Sequence, residues 1–152
     1  PNGAGKTTFF HALSGVLVPT AGRIVVVGDD LTGKGAHAFA RHGIARTFQT
    51  PRVFKEMPAI DNVRFGLEFA GRTRSHAHDA FDEPDTILEF LGLADVAAVP
   101  AGGLTPSKQR LLEIGMALGA RPRVLLLDEV AAGLTHAEVE LTAQLIRRVR
   151  DE

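Results

Sequence analysis

Cysteine, tryptophan and tyrosine are absent from the 152 residues of this chain. Without Cys there is no disulfide scaffold, no zinc–thiolate site and no thiol nucleophile, and the composition fits a reducing compartment. Charge of one sign is missing too: 17 Lys+Arg stand against 18 Asp+Glu, a formal net charge of −1. That balance lacks the clustered Lys/Arg stripe of a nucleic-acid binder, so no nucleic acid is expected as a partner. Long hydrophobic runs are also lacking, since stretches such as residues 24–27 and 124–127 fall far short of the roughly 18 residues that span a bilayer. What remains is ordinary globular composition, 45% apolar and 23% charged, at about the length of one domain.

The local signals alternate between strand and helix. Residues 8–13 suit a short helix closed by Ser14-Gly15. Residues 23–27 form a β-branched run stopped by Gly28-Asp29-Asp30, and residues 44–49 are a second strand candidate, reached through a weak helix or loop at 34–42. A helix is expected to begin near Asp61 and run through Phe69, and another from Pro84 to Gly92. Between them, residues 72–80 read as a surface loop. Thr105-Pro106 is a helix start, because Thr caps and Pro at the first helical position loses no bond. That helix runs to about Gly119, with Leu111, Leu112, Ile114, Met116 and Leu118 on its apolar side. Residues 123–127 are a continuous apolar run, expected of a parallel strand buried on both faces. Thr135 and Glu138 fit a capping box opening a last helix. Alternation of this kind implies a doubly wound α/β core.

Two stretches carry chemistry. The chain opens on Pro1-Asn2-Gly3-Ala4-Gly5-Lys6-Thr7-Thr8, and Gly5-Lys6-Thr7 supplies the end of the phosphate-loop pattern Gly-x-x-x-x-Gly-Lys-[Ser/Thr]. Small residues there let successive backbone N–H groups from Gly3 to Thr8 converge on phosphate oxygens at the positive end of the following helix. Lys6 would reach the β- and γ-phosphates and the Thr7 hydroxyl would ligate Mg2+. Much later, Val124-Leu125-Leu126-Leu127 delivers Asp128 and Glu129 at the C-terminal end of a strand, the edge where ligands bind in open α/β sheets. Asp128 would hold Mg2+ through water, and Glu129 would accept the proton of an attacking water. Taken alone, Gln49 reads as a surface amide. His11, His37, His42, His76 and His78 show no metal-ligand spacing and read as surface or packing residues.

With these residues in place the sequence resembles the ATP-binding subunit of an ABC (ATP-binding cassette) transporter, over essentially its whole length. Residues 1–8 look like Walker A and residues 124–129 like Walker B with its catalytic Glu129. Gly43-Ile44-Ala45-Arg46-Thr47-Phe48-Gln49 looks like the strand leading into the Q-loop, which implies that Gln49 contacts Mg2+ and water. Ala132-Gly133-Leu134-Thr135 is similar to the D-loop. Residues 43–52, 109–114 and 125–138 look most like the ATPases of branched-chain amino acid importers.

The resemblance implies a P-loop NTPase core with a mostly parallel sheet and an inserted helical subdomain, truncated at both ends. Residues 1–50 and 120–152 belong to the core and about 51–119 to the subdomain. It implies an ATPase using ATP and Mg2+, with Asn2, Gly3, Ala4, Gly5, Lys6, Thr7 and Thr8 on the nucleotide. The partners implied are a second ABC ATPase subunit in a head-to-tail dimer, transmembrane permease subunits and, indirectly, a solute-binding protein. The implied location is the cytoplasmic face of the inner membrane, with peripheral attachment.

One motif departs from the family. Leu104-Thr105-Pro106-Ser107-Lys108 stands where the family has Leu-Ser-Gly-Gly-Gln; it keeps a hydroxyl at Thr105 and places Ser107 where Gly lets backbone approach the opposing subunit's γ-phosphate. Thr105 and Ser107 are the expected contacts across the dimer. His136 is no substitute for the family's switch histidine, which lies on a later strand. The chain reads as the central piece of a larger domain, and unpaired strand edges predict poor solubility. Two other readings stay open: a soluble ABC ATPase of DNA repair or translation, and a non-catalytic truncated cassette.

Overall fold

A computed structural model describes residues 5–70, 81–128 and 136–151. The first helix, α1, spans Lys6–Leu13 and opens two residues earlier than local pattern suggested. Ser14 closes it, with its hydroxyl donating to the Phe10 carbonyl at 2.7 Å.

A two-stranded antiparallel hairpin follows, β1 (Val25–Val26) against β2 (Asp29–Asp30). Val27 and Gly28, at φ 52° and 89°, make the turn between them. Sequence placed Val27 inside a longer strand and read Asp29-Asp30 as its stop. Val27 instead lies in the turn and Asp29-Asp30 forms the second strand, because right-handed strand twist favours tight turns with positive φ at both central residues. A β-branched residue in that conformation is unusual, and hydrogen bonds at the base hold it: the Ile24 amide donates to Thr32 Oγ1 at 2.8 Å and the Leu31 amide to the Ile24 carbonyl at 2.8 Å.

The weak segment after the hairpin is a helix, α2 (Ala36–Arg41), which buries Ala38 and Phe39. β3 (Ile44–Arg46) then pairs in parallel with β4 (Val124–Leu126), in the register Ile44↔Val124, Ala45↔Leu125, Arg46↔Leu126. The pairing continues one step, with the Thr47 amide donating to the Leu126 carbonyl at 3.0 Å. Expected to extend to Gln49, β3 stops at Arg46 because the backbone beyond is claimed by side chains of a helix. Leu126 is 9% exposed, but Val124 is 44% exposed, so the expectation of a strand covered on both faces does not hold among the described residues.

Three helices form the main core. α3 (Ala59–Ala70) packs on α5 (Pro106–Gly119), and α4 (Pro84–Phe90) rests on both. Val63, Ile87, Leu88, Leu93, Leu112 and Ile114 are wholly or almost wholly buried between them. α3 begins two residues before Asp61, since the amides of Ala59 and Ile60 donate to the carbonyls of Val99 and Ala97, both at 3.0 Å. A long-range partner thus satisfies a helix start that would otherwise need a local cap. Gly66 brings α3 close to α5: a Cβ there would stand 2.2 Å from the Met116 carbonyl oxygen. α5 runs as expected, and Thr105 caps it by accepting from the Lys108 amide. α6 spans His136–Asp151; Thr135 of the expected capping box lies outside the described residues, as does the expected surface loop at 72–80.

Candidate functional site

Gly5 precedes α1 at φ 77°, and among the described residues no atom lies within 4 Å of where a Cβ would be. Only glycine adopts this conformation at little cost, and it turns the chain so that α1 begins directly at Lys6. Lys6, Thr7 and Thr8 form the first turn and stand exposed. The first-turn amides of α1 therefore open toward solvent at the positive end of the helix, the arrangement that accepts phosphate. Asn2, Gly3 and Ala4, expected to extend this cradle, lie outside the described residues.

The opposite end of α1 is tied to the carboxylate expected to hold magnesium. Arg46, on β3, donates to Asp128 Oδ2 at 2.9 Å and to Ser14 Oγ at 3.1 Å. Its guanidinium carbon lies 5.9 Å from the Phe10 ring centre and 5.3 Å from that of Phe48. The ion pair is largely buried, the side chains being 7% and 12% exposed. The wholly buried Thr47 completes the seat, its hydroxyl accepting from the Asp128 amide at 3.2 Å. Asp128 is thus held by Arg46 at the end of β3 and by Thr47 just beyond it, and through Arg46 by the end of the helix that begins at Lys6. Glu129 lies outside the described residues, as do residues 132–135, His76 and His78.

Gln49 is exposed, as a surface amide would be, but its backbone is not loose. Arg110 of α5 donates to the carbonyls of Phe48 and Gln49. Glu113, one turn further on, accepts from the amides of Phe48 at 3.1 Å and Arg52 at 3.0 Å, both on Oε1. Arg110 also donates to Glu113 Oε2 at 3.0 Å, and the two side chains are 4% and 5% exposed. Burial pushes the Glu113 carboxyl above its ordinary value, against the opposing pull of the Arg52 and Phe48 amides and of Arg110. Arg52 lies over the other part of this turn, 4.1 Å from the Phe48 ring centre.

At the start of α5, Thr105 Oγ1 lies 3.0 Å from Ser107 Oγ. Lys108, at the family's glutamine position, reaches Asp95 at 3.0 Å. Gln109 fastens the preceding loop by donating to the carbonyls of Ala101 and Leu104, at 3.0 and 3.1 Å. Of the histidines, His42 packs locally, with Nε2 3.1 Å from Asp29 and Nδ1 2.8 Å from the Ala38 carbonyl.

Sequence reasoning passed over Arg46, Arg110 and Glu113. Each had a signal: Arg46 interrupts an apolar strand, and Arg110 and Glu113 sit three apart on the face of α5 that also carries Ile114. A charged residue on an apolar face is buried only with a partner, so such positions repay a search for one.

Comparison with known proteins concerns the chain as a whole. The family described as ABC transporter matches residues 1–132. The high-affinity branched-chain amino acid transport ATP-binding protein BraF of Pseudomonas aeruginosa is 39% identical over 100% of this chain and 64% of its own length. LivG of Escherichia coli K12, described in the same words, is 38% identical over 99% of this chain and 64% of its own. The chain therefore spans 64% of the length of these relatives. A solved ATP-binding cassette of an ABC transporter, 29% identical, superposes with a TM-score of 0.82 over 99% of this chain and 64% of its own. The same cassette in an ADP conformation gives 0.80.

Proposed function

Because the chain belongs to the ABC transporter family, we propose that it is the nucleotide-binding part of an ATPase that energises an importer, with branched-chain amino acids as the cargo. The observation that carries the reading is the pairing of two features in one α/β unit: a left-handed Gly5 opening α1 on Lys6 and Thr7, and a parallel strand, β4, that leads to Asp128. The similarity to BraF and LivG supports the cargo.

The residues present suit ATP and Mg2+. The amides and Lys6 offer positive charge to phosphate, while the Thr7 hydroxyl and the Asp128 carboxylate are hard oxygen donors of the kind Mg2+ takes. Thr7 and Asp128 would hold the metal, which would supply positive charge against that of the phosphates. Lys6 holds the β- and γ-phosphates as a point charge, and the cradle from Asn2 to Thr8 orients them. Gln49 orients the attacking water, and Glu129 takes its proton. Thr105 and Ser107 face the γ-phosphate bound by a second ATPase subunit.

One surface feature is consistent with membrane partners. Phe54, Phe65 and Phe69 are 42%, 50% and 40% exposed beside the Gln49 turn, an aromatic patch of the kind partners cover. Among the described residues no helix is long and apolar enough to cross a membrane. Permease subunits would carry the cargo, a solute-binding protein would deliver it, and the ATPase would sit on the cytoplasmic face of the inner membrane. The division into a nucleotide-binding core of residues 1–50 and 120–152 and a helical subdomain of about 51–119 is part of the same proposal.

Glu129→Gln in the complete protein tests the chemistry. ATP binding is expected to persist while turnover falls by about a hundredfold or more. Undiminished hydrolysis by that variant would remove Glu129 from the mechanism.

A further inference from the structure

The turn that carries Gln49 is held from outside by two side chains. Four of its backbone groups, the carbonyls of Phe48 and Gln49 and the amides of Phe48 and Arg52, are bonded to Arg110 or Glu113. No regular ladder serves these groups, because β3 ends at Arg46. A buried Arg–Glu pair is a costly way to close a loop, since both charges lose hydration and recover it only when their remaining polar atoms are bonded. Here both Glu113 oxygens have donors, and both terminal nitrogens of Arg110 have acceptors. An apolar pair would fill the same volume but make none of these four bonds to the turn.

The holder is itself placed with purpose. Arg110 and Glu113 lie on α5, whose first turn carries Thr105 and Ser107. We propose that Arg110 and Glu113 are positioning residues for the reaction: they set Gln49 by gripping its backbone from α5.

This rests on the reading of Gln49 as a residue of an ATP site. Neither Arg110 nor Glu113 touches nucleotide in this scheme, and their influence passes through Gln49 alone. The fork of Arg110 is essential to the grip, since one planar guanidinium meets two successive carbonyls, which a lysine ammonium cannot do with the same geometry.

Arg110→Lys in the complete protein keeps the charge beside Glu113 and removes the fork. Steady-state ATP hydrolysis and the affinity for a fluorescent ATP analogue are measured in four proteins: wild type, Arg110→Lys, Gln49→Ala and the double variant. The expected result is a fall in kcat of about tenfold or more for Arg110→Lys, with analogue affinity within about twofold of wild type and no further fall when the change is added to Gln49→Ala. Unchanged kcat in Arg110→Lys overturns the proposal. So does a full, independent loss in the Gln49→Ala background, which would mark α5 as a general support and not a holder of Gln49. Glu113→Gln is the second variant, with the same expectation, should Arg110→Lys not fold. A wild-type protein that hydrolyses no ATP would overturn the proposed function, an outcome separate from normal turnover in Arg110→Lys.

Discussion

Arg46 donates to Asp128 at 2.9 Å with both side chains largely buried, so the carboxylate assigned to magnesium already faces a cation from its own chain. The pair joins the strand that leads to Gln49 to the strand that leads to Glu129. Since Arg46 also donates to Ser14, three elements of the site meet on one guanidinium.

Removing one partner of a buried pair leaves the other charge uncompensated. Arg46→Met is therefore expected to destabilise the complete protein by about 3 kcal/mol. Chemical denaturation of wild type and variant measures this, and a midpoint that does not move would mean the pair contributes nothing in solution.

The approach of α3 to α5 supplies a second prediction. A methyl group at position 66 would meet the Met116 carbonyl at 2.2 Å, and that backbone cannot move without shifting α5. Alanine is the better helix former by about 1 kcal/mol. Overpacking against backbone costs about 1–3 kcal/mol or more, and it wins here. Gly66→Ala should lower the thermal midpoint, and a rise would show that the helices part more easily than their packing implies.

Glu113 gives a pH dependence whose sign is fixed by its burial. Its carboxyl in the folded protein titrates above the ordinary value of 4.5, so the folded state binds a proton where the unfolded chain has released one. The contribution of this group to stability is full below the unfolded value and is lost as pH rises through the raised folded value. The difference in unfolding free energy between wild type and Glu113→Gln should accordingly shrink with rising pH across that window. A difference that stays flat would mean that the amides and Arg110 offset the burial completely.

Much of the molecule was legible locally. The helix opened by Thr105-Pro106, the helix ended by Ser14 and the apolar strand running into Asp128 each follow from a few adjacent residues. The errors fall where distant partners decide. Val27 entered a turn because the hairpin closed around it. α3 began early because the 97–99 backbone met its first amides. β3 ended at Arg46 because α5 claimed the groups beyond.

By itself the sequence determined the class of chemistry: Gly5-Lys6-Thr7 and Asp128-Glu129 have the residue types and order that phosphate and a hard cation require, whatever surrounds them. It determined the helices and strands wherever period, caps and turn residues agree within a few positions. Only the tertiary structure decided what Arg46, Arg110 and Glu113 are for. A charged side chain has no meaning in isolation, because the cost of burying it is met only by groups the fold brings to it. Those groups come from α1, from the end of β4 and from the turn at Gln49, all far from these residues in the chain.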